Sequence, residues 1–209
     1  MADLELKSDD EKAEELKAWW RANGVSVIAG IAIAVGGMFG FQQWQQHKKN
    51  QSEGASAVFS QLSGKGVDTA PILAKLNGDF SGTSYQYLAA LTVARAHCEA
   101  GNTDKCISQL RTASKSSQES VAIIAKIRLA RTLISIGKLD EAKTIIAEKM
   151  PSAYESLVTE LNGDIHFAKK EYSKAREAYD RAMLSSGGQN IQGLKLKRDD
   201  LGDHLKTGA

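Results

Sequence analysis

The two cysteines are the residues of this chain with the most specific chemistry, and Cys98 and Cys106 are its only two. In an oxidising compartment, two cysteines this close in sequence can form a disulfide. The internal repeats of the chain point Cys98 toward a concave face and Cys106 into a helix pair, which also suits two small packing residues. The sequence leaves both possibilities open: a disulfide between Cys98 and Cys106, or two free thiols.

The histidines show no catalytic or metal-binding pattern. There are four, scattered along the chain: His47, His97, His166 and His204. None of them has the short spacing to another ligand residue that a zinc site requires. The chain also lacks G-x-S-x-G, H-E-x-x-H and phosphate-loop motifs. We predict a protein that is not an enzyme and that needs no metal ion or cofactor.

Three internal repeats must position any functional surface of the soluble part. Each repeat has an apolar helix with three-to-four spacing, a short turn and a second helix; the segments are 87–114, 123–150 and 157–184. A small residue opens each second helix at intervals of 36 and 33 residues: Cys106, Ala142 and Ala175. This period and pattern resemble the tetratricopeptide repeat. We predict an all-α fold in which residues 84–186 form three such repeats of an α-solenoid.

Packing within each repeat is predicted by pairs of small residues. In the tetratricopeptide pattern, a small residue late in the first helix lets the second helix approach closely. The matching pairs are Ala94 with Cys106, Ala130 with Ala142, and Gly163 with Ala175. The third repeat is nearest to the consensus, although Lys170 stands where a turn glycine is usual.

The groove lined by the first helices is the surface that such a solenoid normally offers to partners. The register predicts an apolar groove with two arginines, and it also places two acids of the third repeat there: Leu88, Leu91, Arg95, Ile124, Ile127, Arg131, Ile134, Leu157, Glu160, Asp164 and Phe167. The lysine and asparagine of the known clamp for a terminal carboxylate are absent. An apolar groove suits a hydrophobic segment or a partner helix, unless closing helices or the first hairpin fill it.

An uncharged stretch of 18 residues, at positions 24–41, predicts one membrane span. A bilayer core of about 30 Å needs about 20 helical residues, and Trp19, Trp20 and Trp44 stand at its two ends, where aromatic rings favour the membrane boundary. The start of the chain is long and acidic, and no Ala-x-Ala cleavage site follows the span. We therefore assign residues 22–44 to an uncleaved signal anchor of a single-pass, type II membrane protein.

Small residues line two faces of the predicted span. They recur every fourth position, as Ser26, Gly30 and Ala34 on one face and as Ala32, Gly36 and Gly40 on the other. Small-x-x-x-small spacing lets helices approach closely in lipid. We expect these faces to mediate lateral contacts with neighbouring membrane helices.

The charge distribution favours a cytoplasmic N-terminus. Near the span, Lys12, Lys17 and Arg21 stand before it and Lys48 and Lys49 after it, which is a small bias toward that orientation. Residues 1–21 carry seven acids and four bases and form an acidic tail, in which Ser8 and Glu11 match a capping box. This tail is either a solvated stub or a docking element for a basic partner. Residues 50–209 carry a net charge of only +3, spread among many charges of both signs, which argues against nucleic-acid binding.

Two weaker segments flank the repeats. Residues 45–83 are predicted to contain a linker and a degenerate first helical hairpin. Residues 187–209 are predicted to form a closing helix and tail, which a solenoid needs to cover its last apolar face.

The order of these parts resembles a known family. The acidic tail, Trp19-Trp20, Asn23-Gly24 at the start of a glycine-rich span, Trp44, His47 and the short repeats are similar to YfgM-type ancillary subunits of the SecYEG translocon. The resemblance implies an inner-membrane protein of Gram-negative bacteria with its repeats in the periplasm. It also implies association with SecYEG and with a PpiD-type membrane-anchored chaperone, to which exported polypeptides are passed. The alternative is a scaffold that binds one fixed partner complex, with the acidic tail contacting a cytoplasmic partner.

Overall fold

The computed structural model describes residues 9–64 and 67–207, with side chains described as far as Gly202. Residues 1–51 and 52–209 form two separate compact units. Every regular element in the described ranges is helical, which confirms the predicted all-α fold. Ser8 of the predicted capping box and residues 208–209 of the predicted tail lie outside these described parts.

The first helix contains the predicted span. Helix α1 covers Asp9–Ser60, and three acids, Asp9, Asp10 and Glu11, occupy its first turn, where the helix dipole favours negative charge. It is long and apolar enough to cross a membrane, and its apolar window is almost entirely exposed. At the far end of the span, the rings of Phe41 and Trp44 stack at 5.8 Å. The helix continues beyond residue 45, so that the first part of the predicted linker is helical.

Eight further helices follow α1 in the described residues. They are α2 (Thr69–Gly78), α3 (Ser84–Glu99), α4 (Thr103–Ala113), α5 (Glu119–Ser135), α6 (Leu139–Ile146), α7 (Glu155–Ala168), α8 (Tyr172–Ser185) and α9 (Ile191–Thr207). Helices α3 and α4, α5 and α6, and α7 and α8 pack as hairpins, and α9 packs on α8. The three hairpins are the three predicted repeats. Two single 3₁₀ turns, Gln61–Ser63 and Ser152–Tyr154, complete the described elements.

The same turn closes all three hairpins. In each hairpin, the third-from-last residue of the first helix accepts a hydrogen bond through its carbonyl from the N–H group five residues later. The N–H groups of Asn102, Lys138 and Glu171 donate to the carbonyls of His97, Leu133 and His166, at 2.8, 2.9 and 2.9 Å. This is a Schellman turn, and it requires a residue with positive φ. Gly101 and Gly137 adopt φ of +73° and +78°, as glycine does at little cost, whereas Lys170 adopts +63° with a side chain.

Small residues sit where the two helices of each hairpin meet. Five residues of the predicted pairs are fully buried: Ala94, Cys106, Ala130, Ala142 and Ala175. In the third repeat, a Cβ added to Gly163 would lie 2.5 Å from the Tyr179 ring. Glycine at this position therefore lets the tyrosine ring lie directly on the backbone of α7.

Three apolar clusters hold the repeat unit together. The largest joins α3 to α7 through residues such as Leu110, Leu133 and Leu161. A second cluster packs the end of α1 and α2 onto α3 through Ala55, Val58, Ile72, Leu76 and Ala89. The third places Leu194 and Leu201 of α9 against the small face of α8. Helix α9 thus covers the last repeat, as a closing helix must.

Candidate partner-binding groove

The structure separates the predicted groove residues into buried and exposed groups. Leu91 and Ile127 are buried in the main core, with 8% and 4% of their surface exposed. They were predicted to line an open groove, and that expectation is corrected here, because α3, α5 and α7 pack side by side and enclose them. Leu88, Ile134 and Leu157 are half-buried against the same core. The accessible part of the groove is therefore smaller than the register predicted.

The exposed predicted residues are Ile124, Phe167, Arg95 and Arg131. Arg95 forms an ion pair within α3, where its Nε donates to Glu99 Oε1 at 2.7 Å. The hydrogen bond from Arg95 to Glu99, together with the attraction between their charges, raises the pKa of the Arg95 guanidinium. Arg95 and Glu99 therefore neutralise each other at the surface of the first repeat.

Glu160 is the one buried charged residue within the described part of the chain. Burying a carboxylate is costly unless cations and hydrogen bonds compensate it. Lys197 of α9 supplies the first compensation, with Nζ 2.7 Å from Glu160 Oε1. Arg131 of α5 supplies the second, at 3.6 Å from the other carboxylate oxygen. The acid of α7 is thus held between helices that precede and follow it.

Asp164, one helical turn beyond Glu160, extends this ionic cluster. Lys197 Nζ lies 2.7 and 2.8 Å from its two carboxylate oxygens, and the Tyr179 hydroxyl donates to it at 2.8 Å. Burial is the main cause that raises the pKa of Tyr179, and the negative charge of Asp164 raises it further. Tyr179 therefore stays protonated and remains a hydrogen-bond donor. We call Arg131, Glu160, Asp164, Tyr179 and Lys197 the ionic cluster.

A cavity of about 450 Å³ lies beside the ionic cluster. Its wall combines apolar surface from Ile134, Phe167 and Ala168 with polar groups from Arg131, Lys197 and Asp200. Closing helix α9 therefore fills part of the groove at the third repeat and leaves a pocket there. Volumes in this range are typical of sites that take small molecules or peptide side chains.

Three polar residues of the cavity wall, Tyr179, Lys197 and Asp200, were not predicted as groove residues from the sequence, and Lys197 makes the most contacts. It lies in a polar helix 37 residues from Glu160, so no local spacing connects them. A signal was nevertheless present, because Glu160 and Asp164 place two carboxylates four residues apart on an otherwise apolar helix face. Such a pair needs a cation from another element.

The two cysteines are joined in the structure. Cys98 and Cys106 form a disulfide with their Cα atoms 5.2 Å apart, within the usual range for such bonds. Cys106 is fully buried, whereas Cys98 is exposed near the end of α3. The bond crosses the turn of the first repeat. Within the described residues, no group of three or more histidine, cysteine or acidic side chains is placed to hold a metal ion.

The six small residues predicted to mediate membrane contacts are all exposed on α1: Ser26, Gly30, Ala32, Ala34, Gly36 and Gly40. A Cβ added to Gly30, Gly36 or Gly40 would meet nothing within 4 Å. Both faces are therefore open surfaces of the helix in this chain, and their partners stay a prediction.

A helix of membrane-spanning length and a solenoid of helical hairpins define the class of this chain: a repeat protein with a candidate membrane anchor. The sequence profile of the tetratricopeptide repeat-like domain family matches residues 17–203. The chain belongs to that family. The match includes both the candidate span and the repeats.

Curated proteins named ancillary SecYEG translocon subunit are similar to this chain over most of its length. The Haemophilus influenzae protein is 28% identical over 199 residues, which are 92% of this chain and 97% of the relative. The Escherichia coli K12 protein is 24% identical over 185 residues, covering 86% and 89% of the two chains. The predicted resemblance is thereby confirmed, and the names describe accessory subunits rather than enzymes. No solved structure gives a significant match.

Proposed function

We propose that this chain is a single-pass inner-membrane protein that associates with the SecYEG translocon. The observation that carries the proposal is similarity over 92% of the chain to a protein named ancillary SecYEG translocon subunit. The similarity extends through the span, so the proposed role concerns the anchor as well as the repeats. The repeat unit passes exported polypeptides to a PpiD-type membrane-anchored chaperone in the periplasm.

The proposed orientation places the N-terminus in the cytoplasm and the repeats in the periplasm. Its support is the charge bias across the span and the disulfide in the first repeat, since such bonds persist in oxidising compartments. To test it, a single cysteine is introduced at Asp10 or at Glu177 in a chain without Cys98 and Cys106. Cells with a permeabilised outer membrane and an intact inner membrane are then treated with a maleimide that does not cross membranes. Labelling at position 177 alone is expected, and labelling at position 10 alone would reverse the orientation.

Photocrosslinking in native membranes tests the partners directly. Gly36 lies on one small face of the span, and Phe167 is an exposed residue of the groove. A photoreactive residue at Gly36 should capture a translocon subunit, and one at Phe167 should capture exported chains. Val35 is the matched control for Gly36, because its position around the helix lies away from both small faces. Equal capture of a translocon subunit from positions 35 and 36 would contradict packing through the small face.

The alternative function is a scaffold that binds one fixed partner complex, with the acidic tail docking a cytoplasmic partner. The burial of Leu91 and Ile127 favours it, because less apolar groove is open to varied clients. The same crosslinks separate the two functions. Capture of a single stoichiometric protein at both Gly36 and Phe167, without exported chains, would support the scaffold and overturn the transfer of polypeptides.

A further inference from the structure

We propose that the cavity beside the ionic cluster binds an internal polypeptide segment in which an apolar residue stands next to a lysine or arginine. The inference rests on the proposed function, since it specifies which exported segments the repeat unit takes. The cavity wall has an apolar part and two polar groups, Arg131 and Asp200, that can bind a ligand.

The apolar part of the wall accepts one hydrophobic side chain. Phe167 and Ile134 come from the ends of α7 and α5, and Tyr179 and Ala168 complete this side of the cavity. Phe167 keeps 36% of its surface exposed, although a phenylalanine usually gains by burial. A volume of about 450 Å³ exceeds what one side chain fills, so neighbouring backbone can enter with it.

Most polar groups at the cavity are already satisfied. Lys197 contacts three carboxylate oxygens of Glu160 and Asp164, and Asp164 also accepts from the Tyr179 hydroxyl. These groups keep the ionic cluster together and offer little to a ligand. They also fix the position of α9, which forms one side of the cavity.

Two groups on the wall retain capacity. Arg131 is half-exposed and approaches Glu160 at 3.6 Å, which is longer than a hydrogen bond, so its guanidinium can donate to a peptide carbonyl. Asp200 is exposed on α9 and has no hydrogen bond or ion pair among the described side chains. It can accept a cationic side chain.

The charge balance favours a basic segment over an acidic one. Three acids, Glu160, Asp164 and Asp200, and two bases, Arg131 and Lys197, give the site a net charge of −1. A lysine or arginine beside the apolar residue meets Asp200. A glutamate there faces like charge, and it must compete with Glu160 for Arg131.

Matched peptides test this inference on the full chain in nanodiscs of neutral lipid. The peptides are fluorescent, capped at both ends and differ at one position, with leucine followed by lysine, glutamate or serine. The lysine peptide should bind about three- to fivefold more tightly than the glutamate peptide, as expected for an exposed charge pair. Asp200→Lys should reverse this preference. Glu177→Lys, which makes the same charge change at an exposed site of α8 outside the cavity, should preserve it.

Each outcome bears on the proposal. An equal affinity for the lysine and glutamate peptides, or a preference unchanged in Asp200→Lys, would overturn it. A second form of the lysine peptide with a free C-terminus completes the test: binding of this form alone would identify a terminal carboxylate as the occupant and would overturn the proposal as well. Phe167→Ser should lower the affinity for the lysine peptide and for the glutamate peptide by the same factor. An unchanged midpoint of thermal unfolding is the control that this variant still folds.

The same experiments distinguish a failure of the proposed function from a failure of the cavity proposal. If the peptides bind as expected but a photoreactive residue at position 36 captures no translocon subunit, the cavity proposal is supported and the translocon role is disproved. If Phe167 captures exported chains in membranes while the peptides show no charge preference, only the cavity proposal falls.

Discussion

The first and third repeats have the same Schellman turn between their two helices, but different interactions stabilise them. In the first repeat, the Cys98–Cys106 disulfide joins α3 directly to α4. In the third repeat, Gly163 admits the Tyr179 ring, whose hydroxyl bonds to Asp164. Lys197 of α9 then neutralises Asp164 and Glu160. The hairpin of the first repeat is therefore stabilised by a bond between its own two helices, whereas that of the third repeat is also stabilised by a neighbouring helix. Of these two repeats, only the third has a polar pocket beside it.

Removing the disulfide should have the largest effect on this comparison. The variant Cys98→Ala/Cys106→Ala gives the first repeat an alanine at the position of Ala142 and Ala175. A loop of about nine residues is released, which should lower the free energy of unfolding by about 2.5 kcal/mol. Urea unfolding in detergent, with hydrogen exchange of α3 and α4, would measure the loss. Under dithiothreitol the wild type should match the variant, and a variant equal to the oxidised wild type would show that the disulfide does not stabilise the first repeat.

Adding a methyl group to Gly163 should have the next largest effect, now in the third repeat. Its Cβ would lie 2.5 Å from the Tyr179 ring, so the ring must move and its hydrogen bond to Asp164 must weaken. Overpacking of this kind should cost about 2 kcal/mol net, even though alanine favours a helix more than glycine does. The control is Gly202→Ala in α9, where a Cβ meets nothing within 4 Å. Destabilisation by both variants alike would show that the contact with Tyr179 is not the cause.

Exchanging the turn residues should change stability by about 1 kcal/mol in opposite directions. Lys170 holds φ of +63°, which strains a residue with a Cβ, so Lys170→Gly should stabilise the third repeat. Gly137→Lys should destabilise the second repeat by a similar amount, since Gly137 holds +78° in the same turn. Thermal unfolding of both variants measures the pair. Shifts of the same sign would mean that the side chains, and not the backbone, determine the effect.

The smallest expected effect is a pH dependence specific to the third turn. His166 Nδ1 lies 2.5 Å from Glu171 Oε2, and this hydrogen bond is the main cause that lowers the pKa of Glu171 from its ordinary 4.5. A lowered carboxylate pKa stabilises the fold above pH 4.5, and that contribution is lost as the pH falls through the folded value. Glu171→Gln should therefore melt slightly below wild type at pH 7 and equally at pH 3. Asn102→Gln, at the equivalent position of the first repeat, should show no such convergence.

The sequence predicted the hairpins well because their signals are local. Helical periodicity, turn glycines and small residues at hairpin crossings all lie within about 30 residues of one another, and α3 to α8 fall within the predicted segment 84–186. The depth of the groove was not predictable in this way. Register shows which residues share a face, but the distance between α3, α5 and α7 decides whether Leu91 and Ile127 reach solvent.

The polar part of the site was less predictable still. Glu160 and Asp164 were recognised as groove residues, yet their partner Lys197 lies 37 and 33 residues away in a helix that reads as solvated. A charged side chain that pairs across such a separation leaves no periodic pattern. Only the unmatched carboxylates on α7 indicated that a cation was required.

The contact between Lys197 and Glu160 also makes the third repeat depend on a residue far downstream of it. The contacts of the first two hairpins are local, and local contacts form early. Glu160 precedes its main counter-ion by 37 residues, and that counter-ion is in place only when α9 packs on α8. A chain truncated before position 197 should therefore keep the local contacts of its first two hairpins but leave Glu160 without its main counter-ion.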